Sequence, residues 1–104
     1  MAVEPKAAIT VEIERGMEDL VLLFMSQRKV DQAALAKALP VRDFDTVRRT
    51  GHGMAGAGSS YGFDHITRVG QRLEAAAVAQ DMRAMDLLRL ELDDYLARVV
   101  VKYV

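Results

Sequence analysis

The sequence contains no cysteine, only two prolines and no long run of apolar residues in its 104 positions. Without cysteine, disulfide bonds and thiolate chemistry are excluded, and the sequence does not indicate a redox compartment. No segment approaches the roughly 18 consecutive apolar residues that a membrane-spanning helix needs. Residues 1–10 also lack the apolar stretch of a secretory signal peptide. We therefore expect one small domain in the cytoplasm, without a membrane-spanning segment.

The sequence also has no large excess of charge of either sign, because it contains 14 Lys and Arg residues and 15 Asp and Glu residues, for a formal net charge of −1. With so few basic residues in any one stretch, this balance argues against nucleic-acid binding. The sequence shows no nucleophile–base–acid set, no phosphate-binding loop and no metal-ligand spacing. It therefore gives little support for an enzyme with its own substrate pocket, and it predicts no metal site.

Apolar residues recur at helical spacing over most of the chain, whereas no segment alternates with period two for long enough to predict a strand. We interpret residues 1–11, which include Pro5, as a flexible or loosely docked lead-in, and residues 12–104 as one helical domain. Short connections between long helices favour antiparallel neighbours. The predicted fold is therefore all-α: an antiparallel up-down-up-down four-helix bundle with a short N-terminal lead-in.

Capping residues and chain breakers predict where the four helices begin and end. The first helical region spans about 12–39, either as one helix or as two that meet at Arg28 and Lys29, and it ends at Pro40. The other predicted boundaries are an N-cap at Asp43, an end near Ser60, a reversal at Gly62, a cap at Asp64, a turn at Gln80–Asp81 and an end near Tyr103. The apolar stripe expected on the first helix consists of Leu20, Leu23, Phe24, Val30, Ala34, Leu35 and Ala38.

The second predicted helix is unusual because four of the seven glycines lie between positions 51 and 58, around His52. Each glycine costs about 1 kcal/mol relative to alanine in a helix interior, so helix stability does not explain them. On a helical wheel His52 falls away from the core face, among short side chains. Two interpretations follow: an ordinary surface histidine, or an accessible imidazole that acts as a nucleophile near neutral pH.

The predicted hairpin of the second and third helices offers His52 a partner. If the chain turns at about Phe63, residues whose numbers add up to about 126 lie opposite one another, which places Glu74 opposite His52 and Gln71 opposite Ala55. An acceptor at one imidazole nitrogen fixes the tautomer and stabilises the cation that develops during attack by the other nitrogen. The alternative for Glu74 is a solvated acid that pairs with a nearby arginine.

The residues around His52 resemble the motif of histidine phosphotransfer (HPt) domains. The shared features are a histidine, a glycine four residues later, a second glycine with a following aromatic residue, and a leucine–glutamate pair in the next helix: His52, Gly56, Gly62, Phe63, Leu73 and Glu74. The resemblance extends from about residue 20 to residue 103. It implies that His52 accepts a phosphoryl group from a receiver-domain aspartyl phosphate or a histidine kinase, and passes it to a response-regulator receiver.

The resemblance also implies the roles of the surroundings. Glu74 hydrogen-bonds the phospho-accepting imidazole, and Mg²⁺ is carried by the receiver partner, so that this chain needs no cofactor of its own. The expected receiver-docking surface consists of Gly56, Ala55, Ser59 and Gln71. Monomer is the expected state, because a relay domain presents its histidine to successive partners.

The chain departs from the HPt pattern at Ala55, where most members carry a lysine that helps to neutralise the phosphoryl group. Arg48, one helical turn before His52, is the residue that we expect to substitute in part, with Arg49 as the second choice. The departure leaves two functions open: a phosphorelay carrier, or a non-catalytic helical adaptor that docks receivers without efficient transfer. Gly56 likewise has two interpretations, receiver docking or close packing of helices.

Overall fold

Four helices account for most of residues 7–104, which are the residues described by the computed structural model of the chain. The elements in chain order are β1 (Ile9–Ile13), α1 (Glu18–Ala38), α2 (Phe44–Ala57), a 3₁₀ turn (Ser59–Tyr61), α3 (Asp64–Val78), α4 (Met82–Arg98) and β2 (Val99–Tyr103). The prediction of four helices is confirmed, and the first helical region is a single continuous helix. None of the helices in this part of the chain is long and apolar enough to cross a membrane.

Two short strands, β1 and β2, contradict the prediction that the chain has no strand. They pair in parallel, with Ile9 opposite Val99 and Ile13 opposite Tyr103. Both strands are rich in β-branched residues, which favour extended backbone. Strand β1 covers positions assigned to the lead-in and to the start of the first helix, and β2 covers the predicted end of the fourth helix. The first six residues of the predicted lead-in lie outside the described residues.

The ends of the helices follow local capping chemistry. The Asp43 carboxylate accepts hydrogen bonds from the Thr46 backbone N–H at 3.1 Å and from the Thr46 hydroxyl at 2.6 Å. The hydrogen bonds from the Thr46 side chain and backbone hold the pKa of Asp43 below its ordinary value of 3.8. Helix α2 ends earlier than predicted, because a 3₁₀ turn leads the chain to Gly62, which reverses it at φ +84°. Asp64 is the first residue of α3 and forms no cap.

The core lies between the four helices and contains nine fully buried large side chains: Phe63, Leu35, Met54, Ile66, Leu73, Met85, Leu92, Val47 and Val69. The apolar stripe predicted for α1 is wrong in part, because Leu20, Leu23 and Val30 are 44%, 67% and 58% exposed. The buried face of α1 contains Val21, Phe24, Arg28, Asp31, Leu35 and Ala38. The helix is therefore rotated, relative to the predicted stripe, toward a face that carries two charged residues.

These two charged residues form an ion pair inside the fold. Arg28 Nε lies 2.7 Å from Asp31 Oδ2, and the two residues are only 3% and 7% exposed. The guanidinium also lies 4.4 Å from the ring centroid of Phe24, a cation–π contact, and Phe24 stacks on Phe63. Burial raises the pKa of the Asp31 carboxyl, although the charge and hydrogen bond of Arg28 act in the opposite direction. The pair lets polar groups occupy positions that an apolar pattern would assign to leucine.

Breaking this pair should cost more than replacing it. We expect Asp31→Leu to lower the free energy of unfolding by about 3–5 kcal/mol, because it leaves the Arg28 charge buried without a partner. The double variant Arg28→Met/Asp31→Leu should return close to the original stability or exceed it. Urea unfolding followed by far-UV circular dichroism measures both. A double variant as unstable as Asp31→Leu would contradict this account.

Candidate functional site

Helices α2 and α3 approach each other more closely than side chains allow. A Cβ atom built on Gly51 would lie 2.7 Å from the Gly70 carbonyl oxygen, and one built on Gly70 would lie 2.5 Å from the Ala55 backbone nitrogen. A Cβ on Gly58 would overlap Thr67. Sequence numbers therefore rise along α2 as they fall along α3, so the two helices are antiparallel neighbours whose spacing depends on glycine.

This close contact brings His52 and Glu74 together. Gly51 directly precedes His52, and a Cβ built on Gly51 would lie 2.8 Å from the Glu74 backbone nitrogen. His52 and Glu74 therefore lie at the same level of the hairpin. His52 Nδ1 lies 3.0 Å from Glu74 Oε2. The His52 side chain is 76% exposed and that of Glu74 is 33% exposed. The structure thus places both residues on the outer surface, opposite each other, in the register predicted from the sequence.

The geometry defines what each imidazole nitrogen can do. An ionised carboxylate can only accept a hydrogen bond, so Nδ1 donates its proton to Glu74. In the neutral ring Nε2 then carries the lone pair. Because most of the side chain is exposed, this nitrogen is open to an incoming electrophile. The arrangement fits a nucleophile at Nε2 and a group at Nδ1 that stabilises positive charge on the ring.

The surface beside His52 is made of small residues that do not serve helix packing. A Cβ on Gly53 or on Gly56 would meet no atom within 4 Å. Gly56 therefore does not pack against another helix, and the interpretation as a helix-packing glycine is wrong. Ala55 is half-buried beside α3, and Gln71 is exposed on α3.

Ser59 has a structural contact in addition to its exposure. Its backbone N–H donates to Thr67 Oγ1 at 2.8 Å, and its hydroxyl lies 3.1 Å from the same oxygen. These bonds tie the end of α2 to α3. The packing glycine of α3, Gly70, was not identified from the sequence, although a glycine inside a helical pattern is a signal of close backbone approach.

The positive charges nearest to His52 along α2 are already paired. Arg48 Nη2 lies 2.9 Å from Asp45 Oδ1, and Arg49 Nε lies 3.1 Å from Asp45 Oδ2. No lysine is present on α2, and Ala55 occupies the position where HPt domains usually carry one. The structure therefore places Arg48 within one turn of His52, but with its guanidinium directed to Asp45.

The second histidine, His65, belongs to a different part of the molecule. Its Nε2 lies 3.5 Å from Glu91 Oε2, and its ring lies 4.6 Å from that of Tyr95. Burial raises the pKa of the Tyr95 phenol. Within residues 7–104, no group of three or more His, Asp or Glu side chains could hold a metal ion. His65 therefore forms part of the contact between α3 and α4.

Comparison with protein families matches the Hpt domain family to residues 19–99. This range includes nearly all of α1, the whole of α2, α3 and α4, and therefore both His52 and Glu74. The chain belongs to the Hpt domain family. Comparisons with curated proteins and with solved structures gave no match. The resemblance inferred from the sequence is confirmed at the level of the family.

Membership fixes the general function of the chain. Hpt domains are histidine-containing phosphotransfer carriers of two-component phosphorelays, and they interact with receiver domains and kinases. In this Hpt domain, Nδ1 of the exposed His52 lies 3.0 Å from the carboxylate of Glu74 on the neighbouring helix. Both strands, apart from Val99, lie outside the matched residues.

Two glycine-to-alanine variants should separate packing from surface. We expect Gly51→Ala to lower the free energy of unfolding by about 1–3 kcal/mol, because its Cβ would overlap the backbone of α3. The matched control, Gly53→Ala, should raise stability by up to about 1 kcal/mol, since its Cβ meets open space and alanine favours helix. Chemical denaturation of both variants tests this. Equal effects of the two substitutions would show that the close approach of α2 and α3 is not required.

Proposed function

We propose that this Hpt domain accepts a phosphoryl group on Nε2 of His52 from the aspartyl phosphate of a receiver domain, or from a histidine kinase, and passes it to a response-regulator receiver. The observation that carries the proposal is the 3.0 Å contact of Nδ1 with Glu74 Oε2 beneath a ring whose side chain is 76% exposed. This contact keeps the proton on Nδ1 and leaves the lone pair on Nε2, which faces away from Glu74.

The proposed transfer follows from this arrangement. The lone pair of Nε2 attacks phosphorus as the bond between phosphorus and the donor's carboxylate oxygen breaks, so the donor aspartate leaves as a carboxylate. The ring becomes positively charged, and the Glu74 carboxylate stabilises it through the Nδ1 proton. Positioning and electrostatics dominate phosphoryl transfer. We assign the Mg²⁺ ion that supports this step to the acidic pocket of the receiver partner.

The proposed receiver-docking surface consists of Gly56, Ala55, Ser59 and Gln71, which surround His52 on α2, the 3₁₀ turn and α3. Open space above Gly53 and Gly56 supports close approach of a partner, because a Cβ atom at either position would meet no atom within 4 Å. Next to this surface, Leu23 of α1, which is 67% exposed, lines a cleft together with Ala57 of α2.

Arg48 is the proposed stabiliser of the phosphoryl group, with Arg49 as the second choice, because Ala55 supplies no charge. The alternative function is a helical adaptor that docks receivers without efficient transfer. Two observations favour it: Ala55 replaces the usual lysine, and Arg48 is engaged by Asp45. The carrier needs His52 chemically, whereas the adaptor needs only the surface around it.

We further propose that the domain works as a cytoplasmic monomer whose four helices run alternately up and down. The helices are joined by short connections at residues 39–43, 58–63 and 79–81, which favour antiparallel neighbours. A single exposed histidine that meets a donor and an acceptor in turn favours a monomer, since an interface over α2 would cover it.

Labelled phosphate tests the carrier directly. We expect receiver domains preloaded with labelled phosphate to transfer label to this chain as an acid-labile, base-stable adduct, and we expect His52→Gln to abolish it because Nε2 is the only nucleophile proposed. Binding of each receiver is measured in parallel by calorimetry. Binding without label would favour the adaptor, and label that persists in His52→Gln would exclude His52 as the acceptor.

Docking can be separated from chemistry at Gly56. We expect Gly56→Phe to weaken receiver binding about tenfold or more, because the ring would stand in the space that a partner must enter. Its unfolding midpoint should stay close to that of the Gly56→Ala control, since nothing lies within 4 Å of either new Cβ. Calorimetric titration with the same receiver compares the two. Unchanged affinity for Gly56→Phe would remove Gly56 from the docking surface.

A further inference from the structure

Asp45 is shared by two arginines at the start of α2. One carboxylate oxygen contacts Arg48 at 2.9 Å, and the other contacts Arg49 at 3.1 Å. The Asp45 side chain is 62% exposed, and those of Arg48 and Arg49 are 43% and 67% exposed. Exposed pairs of this kind contribute little free energy and exchange partners at little cost. Because Asp45 has two cations, it can lose Arg48 and still keep Arg49.

Arg48 lies where it can serve either Asp45 or His52. Residues four apart on a helix are neighbours, and side chains lean toward the helix N-terminus, so the imidazole of His52 leans over the turn that carries Arg48. On a helical wheel at roughly 100° per residue, Arg48 falls on the same side of His52 as α3, whereas Arg49 falls on the other side. Of the two arginines, Arg48 is thus closer to the contact between His52 and Glu74.

Before phosphorylation the charges around His52 are balanced. Asp45 and Glu74 contribute two negative charges, and Arg48 and Arg49 contribute two positive charges. A phosphoryl group adds close to two negative charges at neutral pH and offers three acceptor oxygens. The residues three and four positions from Glu74 along α3 are uncharged: Gly70, Gln71, Ala77 and Val78. We therefore expect the phosphoryl group to attract Arg48. A guanidinium binds a doubly charged phosphoryl group more strongly than it binds a single exposed carboxylate.

We propose that Asp45 holds Arg48 in reserve, and that phosphorylation of His52 draws the Arg48 guanidinium from Asp45 to the phosphoryl oxygens while Asp45 keeps Arg49. Asp45 is then a positioning residue, because it acts on the phosphoryl group only through Arg48. The inference rests on the proposed function, since it requires phosphohistidine at position 52. It makes the strength of the Asp45–Arg48 pair a determinant of how tightly the domain holds its cargo.

The test uses the purified chain and N-phosphoimidazole, a small donor that needs no partner protein. Nε2 of His52 forms a P–N bond while the P–N bond of the donor breaks and imidazole leaves. The equilibrium ratio, measured by ³¹P NMR from both directions, compares the phosphoryl group on His52 with the same group on free imidazole. We expect Asp45→Asn to shift this ratio toward the protein about two- to fivefold, because Arg48 no longer has to leave a carboxylate. Arg48→Gln should shift it at least about twofold the other way.

The double variant is the decisive control. If Asp45 acts through Arg48, Asp45→Asn has no effect in the Arg48→Gln background. An equal shift in both backgrounds would overturn the inference, because it would show a general effect of net charge. A phosphorylated chain whose ratio is unchanged by Asp45→Asn would also overturn the inference and leave the proposed function intact. A chain that takes a phosphoryl group neither from this donor nor from any receiver would overturn both.

Discussion

The backbone contact between α2 and α3 is the constraint on which the rest of the site depends. Gly51, Gly58 and Gly70 let the two helices approach until backbone meets backbone. This spacing places an exposed histidine of one helix within 3.0 Å of a carboxylate on the other. With a larger residue at Gly51 or Gly70, the helices would separate and the carboxylate would no longer reach Nδ1. The orientation of the imidazole is therefore set by residues that never touch it.

The glycines in and directly after α2 divide into two groups with opposite tasks. Gly51 and Gly58 face α3 and allow packing, whereas Gly53 and Gly56 face open space and keep the surface beside His52 low. Glycine lowers the stability of a helix interior, so Gly51, Gly53 and Gly56 act against helix formation. The compensation comes from the core, where Met54 and the fully buried side chains of α3 fix α2 in place. The helix is held by its tertiary contacts rather than by its own propensity.

The sequence was sufficient to predict the helical hairpin and the pairing of His52 with Glu74, because both depend on local features: helical period and a turn near Phe63. It was insufficient where distant segments meet. Strands β1 and β2 pair from opposite ends of the described chain, and each is only five residues long. The face of α1 was misassigned because Arg28 and Asp31 neutralise each other inside the fold, which an apolar pattern does not reveal. The role of Gly70 depends on the close approach of α2, which the sequence of α3 alone does not reveal.

A carrier must release its phosphoryl group as readily as it accepts it. The charges around His52 therefore matter, because they affect how tightly the phosphoryl group is bound. A fixed lysine at position 55 would offer permanent compensation to the phosphoryl group, whereas Ala55 offers none. The proposed substitute, Arg48, is engaged by Asp45 in an exposed ion pair of small free energy. Interactions that hold the bound group and its transferring state equally add affinity without speeding transfer. In the proposed scheme, Arg48 therefore holds the phosphoryl group only weakly, and the residues that set this balance, Asp45 and Arg48, lie on one turn of one helix.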